Sequence, residues 1–199
     1  MRVIAGKYRS RTLRTLRGME VRPTSDRLRE SLFNVLTAGN SAALEGVVWL
    51  DLYAGTGAVG IEAISRGAGR VYFVESAPAA AEVIRQNLQD LGITEGFKVL
   101  PDDVSRSIWR LGKERLTADV VFLDPPYRMQ QAYAETLEAL ADSSLIWAMT
   151  VVIAEHEKKF DPGDSLGCLR RFRKLVQGDS ALSFYRSGPG QETPRRVGP

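Results

Sequence analysis

The 199-residue chain is 44% hydrophobic and 26% charged, ordinary for a folded soluble domain and unlike collagen or a wholly disordered chain. At this length folding buries about 70% of the extended chain's surface, enough for a core without staples. A single cysteine, Cys168, excludes intramolecular disulfides and a cysteine-built zinc site, no apolar run reaches the ~18 residues of a membrane span, and the opening residues hold no secretory apolar segment. A cytoplasmic protein with no membrane and no metal is expected.

The net charge of +3 hides an uneven distribution. Residues 1–30 hold nine basic and three acidic residues, 31–165 eleven and nineteen, and 166–199 seven and two. Both ends are basic around an acidic middle. That is the footprint of a phosphate-backbone partner, although charged runs are also ordinary solvated surface.

Taken in chain order, residues 1–17 alternate apolar and polar groups on either side of Gly6-Lys7, as a short hairpin does. Arg22-Pro23-Thr24-Ser25-Asp26 is a turn opening a helix in which Leu28, Leu32, Val35 and Leu36 recur at helical spacing, and Gly39-Asn40 stops it. From residue 47 the pattern alternates strand and helix. Strands are expected at 47–50 running into Asp51, 71–74, 97–100, 120–123 and 151–154. Helices are expected from 60, over 77–91 with Gly92 as the stop, and over 104–115 and 130–142. Continuous apolar strands separated by helices predict a parallel sheet covered on both faces. The runs 168–176 and 181–186, joined at Gly178-Asp179, predict an antiparallel hairpin. The result is a doubly wound α/β sheet closed by a hairpin, with a basic extension over 1–20, a main domain over 21–187 and a disordered tail over 188–199.

Two constellations carry chemistry. In Asp51-Leu52-Tyr53-Ala54-Gly55-Thr56-Gly57-Ala58-Val59-Gly60, glycines at a strand-to-helix junction let the backbone approach a ligand and aim helix N–H groups at it. Gly55, Gly57 and Gly60 fit G-x-G-x-x-G, and Glu75 stands twenty residues beyond Gly55, so the bare pattern also suits a dinucleotide. Asp51 would crowd a pyrophosphate, and suits a cofactor bearing an ammonium and a sulfonium. In Asp124-Pro125-Pro126-Tyr127, two prolines make a stiff turn that presents carbonyl oxygens. Asp124 and the Pro125 carbonyl can each accept one N–H of an exocyclic amine, and Tyr127 can stack on its ring. The same four residues also suit an ordinary turn after a strand.

The loop from Asp51 to Gly60, Glu75, Asp103 after the third strand, and Asp124–Tyr127 resemble the successive motifs of class I S-adenosylmethionine-dependent amino-methyltransferases. Arg22-Pro23-Thr24-Ser25-Asp26-Arg27-Leu28-Arg29-Glu30-Ser31-Leu32-Phe33, with Val3-Ile4-Ala5-Gly6-Lys7-Tyr8-Arg9, resembles the RsmD family, which methylates guanine N2 in bacterial 16S ribosomal RNA. The similarity spans about residues 2–186. It implies a Rossmann-like methyltransferase domain with a mostly parallel seven-stranded sheet in the order 3-2-1-4-5-7-6 and an N-terminal β-hairpin extension.

The resemblance also implies S-adenosylmethionine as cofactor. Asp51, Ala54, Gly55, Thr56 and Gly57 would surround its methionine part, Glu75 would take the ribose hydroxyls, and Asp103, rather than Asp102, the adenine amine. Asp124, Pro125, Pro126 and Tyr127 would be catalytic. The partner would be 16S rRNA or the small ribosomal subunit, met by a monomer.

Residues 1–17 hold six basic and no acidic residues. Lys7, Tyr8, Arg9 and Arg11, joined by Arg22, are therefore the expected RNA contacts. Methylation of adenine N6 in DNA or RNA, nicotinamide oxidoreduction through the glycine loop, and a catalytically silent RNA-binding module are the alternatives. His156, Trp49, Trp109, Trp147 and Cys168 are expected to be structural. Arg170, Arg171, Arg173 and Lys174 form either an RNA contact or a solvated strand edge.

Overall fold

A computed structural model describes residues 1–16, 25–126 and 128–188. Arg22, Tyr127 and all of the expected tail except Gly188 lie outside the described residues. The chain forms two compact units, one from Met1 to Asp103 and the other from Val104 onward.

The first unit begins with the N-terminal segment and α1 (Asp26–Leu36). It continues β1 (Val48–Leu52), α2 (Ala58–Ser65), β2 (Arg70–Val74), α3 (Pro78–Asp90) and β3 (Phe97–Leu100). Its strands lie in the order β3-β2-β1, all parallel. The Ser25 side chain caps α1 by accepting the Leu28 N–H, with Asp26 in the first turn where the helix dipole favours an acid. Leu28, Leu32 and Phe33 form its buried stripe, and Phe33 stacks on Trp49 with ring centres 5.4 Å apart.

The N-terminal segment closes through a single antiparallel bridge, Arg2 to Thr12, instead of a ladder. The reason is that the amides of Ile4, Ala5, Lys7 and Tyr8 are used by α2, while only those of Val3, Ser10 and Leu13 bond across the segment. Ile4 and Ala5 donate to the fully buried Glu62 carboxylate at 2.7 and 2.9 Å, Lys7 donates to the Ser65 carbonyl, and Tyr8 to the Ser65 hydroxyl. A Cβ on Gly6 would come within 1.8 Å of the Ser65 oxygen. Val3 and Leu13 are buried, so the segment is fastened along α2 and is part of the core.

The second unit comprises α4 (Val104–Lys113), β4 (Val120–Leu123), α5 (Gln130–Ala141), β5 (Val151–Glu157), β6 (Ser165–Leu166), β7 (Leu169–Gln177) and β8 (Ser180–Ser187). Its strand order is β4-β5-β8-β7-β6. The expected runs 3-2-1 and 4-5-7-6 are therefore present, and the two-residue β6 is an eighth strand added at the edge. β5 outruns its expected end by three residues because its ladder with β8 continues to the Glu157–Ser180 pair.

His156 consequently lies inside β5, not after it, and is fully buried. Burial holds its pKa below the usual imidazole range. The neutral ring then donates from Nδ1 to the Glu157 carbonyl and accepts the Ser183 hydroxyl at Nε2. Both ring nitrogens are thus bonded inside the sheet. Trp49 is buried as expected, but Trp109 is 66% exposed. The buried stripe of α4 runs through Val104, Ser107, Ile108 and Leu111, which leaves position 109 facing away, with the Lys113 ammonium over its ring. Trp147 and Cys168 are only half-buried.

Candidate functional site

β1 delivers Asp51 to the mouth of the glycine turn, and the turn opens α2 at its Gly57 cap. The three glycines have different physical jobs. Gly60 packs so closely that a Cβ would stand 2.3 Å from the Phe73 ring and 2.9 Å from Asp51. Gly55 has φ +55° and nothing of the protein within 4 Å of its would-be Cβ. Its glycine keeps a left-handed backbone open to a ligand. Tyr53 also has positive φ, at 60°, so the turn enters a strained conformation before its first glycine.

Two carboxylates organise the turn. Asp51 is buried and its Oδ2 accepts the Gly60 N–H at 2.8 Å. Burial, reinforced by repulsion from Glu75 and opposed by the Gly60 N–H, pushes Asp51 up to about 8. Glu75, just past the end of β2, accepts the Gly55 N–H at Oε2 and the Ala77 N–H at Oε1, both at 2.8 Å. It therefore ties the turn to the entry of α3. Ala54 donates to the Val74 carbonyl and Gly57 to the Ala54 carbonyl, and these bonds fix the rest of the loop.

Thr56 is held through its carbonyl, which accepts the Asn87 side-chain amide at 3.0 Å. Asn87 was not legible as a functional residue. It is 1% exposed, its Oδ1 accepts the Arg14 N–H at 2.7 Å, and its Nδ2 reaches the Arg14 carbonyl at 3.3 Å. One buried side chain thus joins the basic segment to the glycine turn. The available signal was a polar residue at a core-facing position among Ala80, Ala81, Ile84 and Leu88. At the end of β3, Asp102 turns its Oδ1 back onto the Asp103 N–H, while Asp103 is exposed.

The Asp51 shift has a measurable consequence. Its folded pKa lies above the unfolded value of 3.8, so between about pH 4 and 8 the native state binds the extra proton and stability falls as pH rises. Asp51→Asn keeps an acceptor for Gly60 and removes the titration. In thermal melts this variant should lose that part of the pH slope and be more stable than wild type at pH 8.

The expected RNA contacts separate into two kinds. Lys7 and Arg9 are exposed, and the Lys7 ammonium lies 5.3 Å from the centre of the half-buried Tyr8 ring. Arg11 instead donates to the Asp90 carbonyl, and Arg14 forms a 2.6 Å ion pair with the Asp90 carboxylate. Arg11 is an anchor as much as a contact.

In the second unit, Asp124 follows β4 and is half-buried, Pro125 is buried and Pro126 exposed. The Pro126 carbonyl accepts the Met129 N–H at 2.7 Å, which closes the turn into α5. The buried Tyr133 hydroxyl lies 3.2 Å from the Pro125 carbonyl and 2.9 Å from that of Glu155. A carbonyl has two lone pairs, so Pro125 can still accept a further N–H. Among the described residues no cluster suits a metal ion, and no helix is long and apolar enough to cross a membrane.

The family model described as "Conserved hypothetical protein 95" matches residues 1–186. Ribosomal RNA small subunit methyltransferase D of Escherichia coli is 31% identical, over 94% of this chain and 89% of its own. The solved structure of Escherichia coli yhhF superposes with a TM-score of 0.78 at 26% identity, covering 96% of this chain and 99% of that one. The more distant SMU.776, solved with SAH, has a TM-score of 0.63 at 14% identity, covers 80% of this chain and 48% of its own, and shows the fold alone.

Proposed function

Because the chain belongs to the RsmD family of rRNA methyltransferases, we propose that it transfers a methyl group from S-adenosylmethionine to the exocyclic N2 amine of a guanine in 16S rRNA. The observation that carries the cofactor assignment is the glycine turn, with an open position at Gly55, a buried Asp51 beneath it and Glu75 holding the Gly55 amide. These features fit the group. Asp51 gains its charge most readily beside a cation, so it would hold the ammonium, and each Glu75 oxygen keeps a lone pair for a ribose hydroxyl. The exposure of Asp103, beside the half-buried Asp102, supports Asp103 as the adenine contact. Ala54, Thr56 and Gly57 would present backbone to the methionine portion.

When bound, this cofactor supplies an electrophilic methyl on a sulfonium. The protein's own work is positioning and acceptor hydrogen bonding. An exocyclic amine donates its lone pair into its ring and is a poor nucleophile. The Asp124 carboxylate and the Pro125 carbonyl would each accept one of its N–H groups, which leaves the nitrogen lone pair free to attack. Pro126 stiffens the turn and Tyr127 would stack on the base.

Calorimetry tests the cofactor assignment. S-adenosylhomocysteine should bind to the isolated chain and NAD should not. Binding should release a proton below pH 8, as Asp51 ionises beside the ammonium. Tight NAD binding without S-adenosylhomocysteine binding would favour an oxidoreductase.

Lys7, Tyr8 and Arg9 are proposed to grip the RNA backbone, with Arg11 holding their segment on α3 and Arg22 extending the basic run. Neutralising Lys7 and Arg9 together should flatten the log–log salt dependence of RNA affinity by about 0.7 per lost single-strand phosphate contact. Cofactor affinity should be unchanged. An unaltered slope would make this charge solvated surface only.

A further inference from the structure

The hairpin of β7 and β8 gathers arginines and an aromatic ring on one face. In its register Arg170 stands directly opposite Arg186, and Arg173 opposite Phe184. Residues 184 and 186 share a face, because side chains alternate along a strand. Arg170, Arg173 and Arg186 therefore lie on one side of the hairpin, and all three are exposed.

Like charges directly opposite in a sheet are destabilising. Nearby acids do not relieve them, because Asp161 and Asp164 are taken up by Arg171 and Lys174. Among the described residues none of the three arginines has a carboxylate within ion-pair distance.

The second observation is the register shift between Arg171 and Arg173, which makes Phe172 the extra residue of a β-bulge. Bulges re-aim a side chain. Phe172 is 49% exposed, with the Arg186 guanidinium 4.7 Å from its ring centre. A charged strand alone would guard the free edge of β7. It would not need an extra residue to set a half-exposed aromatic ring, resting on the buried Phe184 ring 6.2 Å away, beneath the Arg186 guanidinium.

We infer that this face is a nucleic-acid contact, separate from the N-terminal segment, that takes an unpaired RNA nucleotide. Phe172 stacks on its base, and Arg170, Arg173 and Arg186 hold the flanking phosphates. The assignment of RNA as the polyanion rests on the function proposed above, since every base offers a π-face and every linkage a charge. The contact is one of affinity and register, without base selection.

The test is binding of transcribed 16S rRNA across a salt series, for wild type, Phe172→Ala, Phe172→Leu and the double variant Arg173→Gln/Arg186→Gln, with S-adenosylhomocysteine affinity measured for each. The double variant should lose about 1.4 from the log–log slope, two contacts at about 0.7 each. Phe172→Ala should weaken binding about tenfold with the slope intact, as loss of one stacked base does, and Phe172→Leu should not restore it. Retained S-adenosylhomocysteine affinity shows that the variants are folded.

Wild-type RNA affinity and slope in all variants would overturn the proposal while leaving the methyltransferase reading in place. Failure of wild type to bind either transcribed 16S rRNA or the small ribosomal subunit would overturn both. Equal weakening of poly-glutamate binding by Phe172→Ala would also overturn it, because that polyanion has no base to stack.

Discussion

Replacing Asp124 with alanine should lower methyl transfer to 16S rRNA by about 10²–10³, the usual effect of removing one oriented acceptor from the reacting centre. Affinity for S-adenosylhomocysteine should be unchanged, because the cofactor is assigned to the turn from Asp51 to Gly57. Single-turnover kinetics under saturating cofactor and RNA separates the two effects. The conservative variant sharpens the result. Asp124→Asn keeps a carbonyl oxygen able to accept an amine N–H, so it should retain more activity than alanine. If the alanine variant turned over like wild type, the amine would have to be held elsewhere. If it lost cofactor affinity in step with rate, the residue would belong to the cofactor site.

The second large effect is expected at Glu75. Its two oxygens hold the Gly55 and Ala77 amides, and it is assigned to the ribose hydroxyls as well. Glu75→Ala removes charge-assisted hydrogen bonding worth roughly 1.5–3 kcal/mol net, so S-adenosylhomocysteine should bind about tenfold to hundredfold more weakly. It also frees the turn, so the melting temperature of the ligand-free chain should fall. Glu75→Gln keeps one acceptor oxygen and should be intermediate in both. Calorimetry and thermal melts on the same preparations check this. A lowered melting temperature with full cofactor affinity would make Glu75 a brace for the turn and nothing more.

Much of this site was legible because its chemistry follows chain order. Asp51 and Glu75 stand at the ends of two adjacent parallel strands and Gly55, Gly57 and Gly60 in the turn and helix that follow the first, where spacing along the sequence translates into spacing across the sheet. Asp124 and its prolines carry their own local geometry. What was hidden depends on partners remote in sequence. Nothing near Glu62 announces that its carboxylate takes the amides of Ile4 and Ala5. That contact is why the first sixteen residues make one bridge where a hairpin ladder was expected.

Asn87 reads as a flaw in an apolar stripe until Arg14 and Thr56 are seen against it. Trp109 has an apolar ring, yet helix phase turned it outward. The bulge at Phe172 is invisible to a period-two pattern, because one inserted residue shifts the alternation without changing the composition. β6 is too short to show any alternation at all.

The proposed reaction is methylation of a guanine amine in 16S rRNA. Its most direct test is mass analysis of nucleosides from small-subunit rRNA of cells lacking this chain, with wild-type and Asp124→Ala copies returned. One N2-methylguanosine should disappear, return with the wild-type copy and stay absent with Asp124→Ala. Loss of an N6-methyladenosine instead, or small-subunit rRNA with every modification intact, would contradict it.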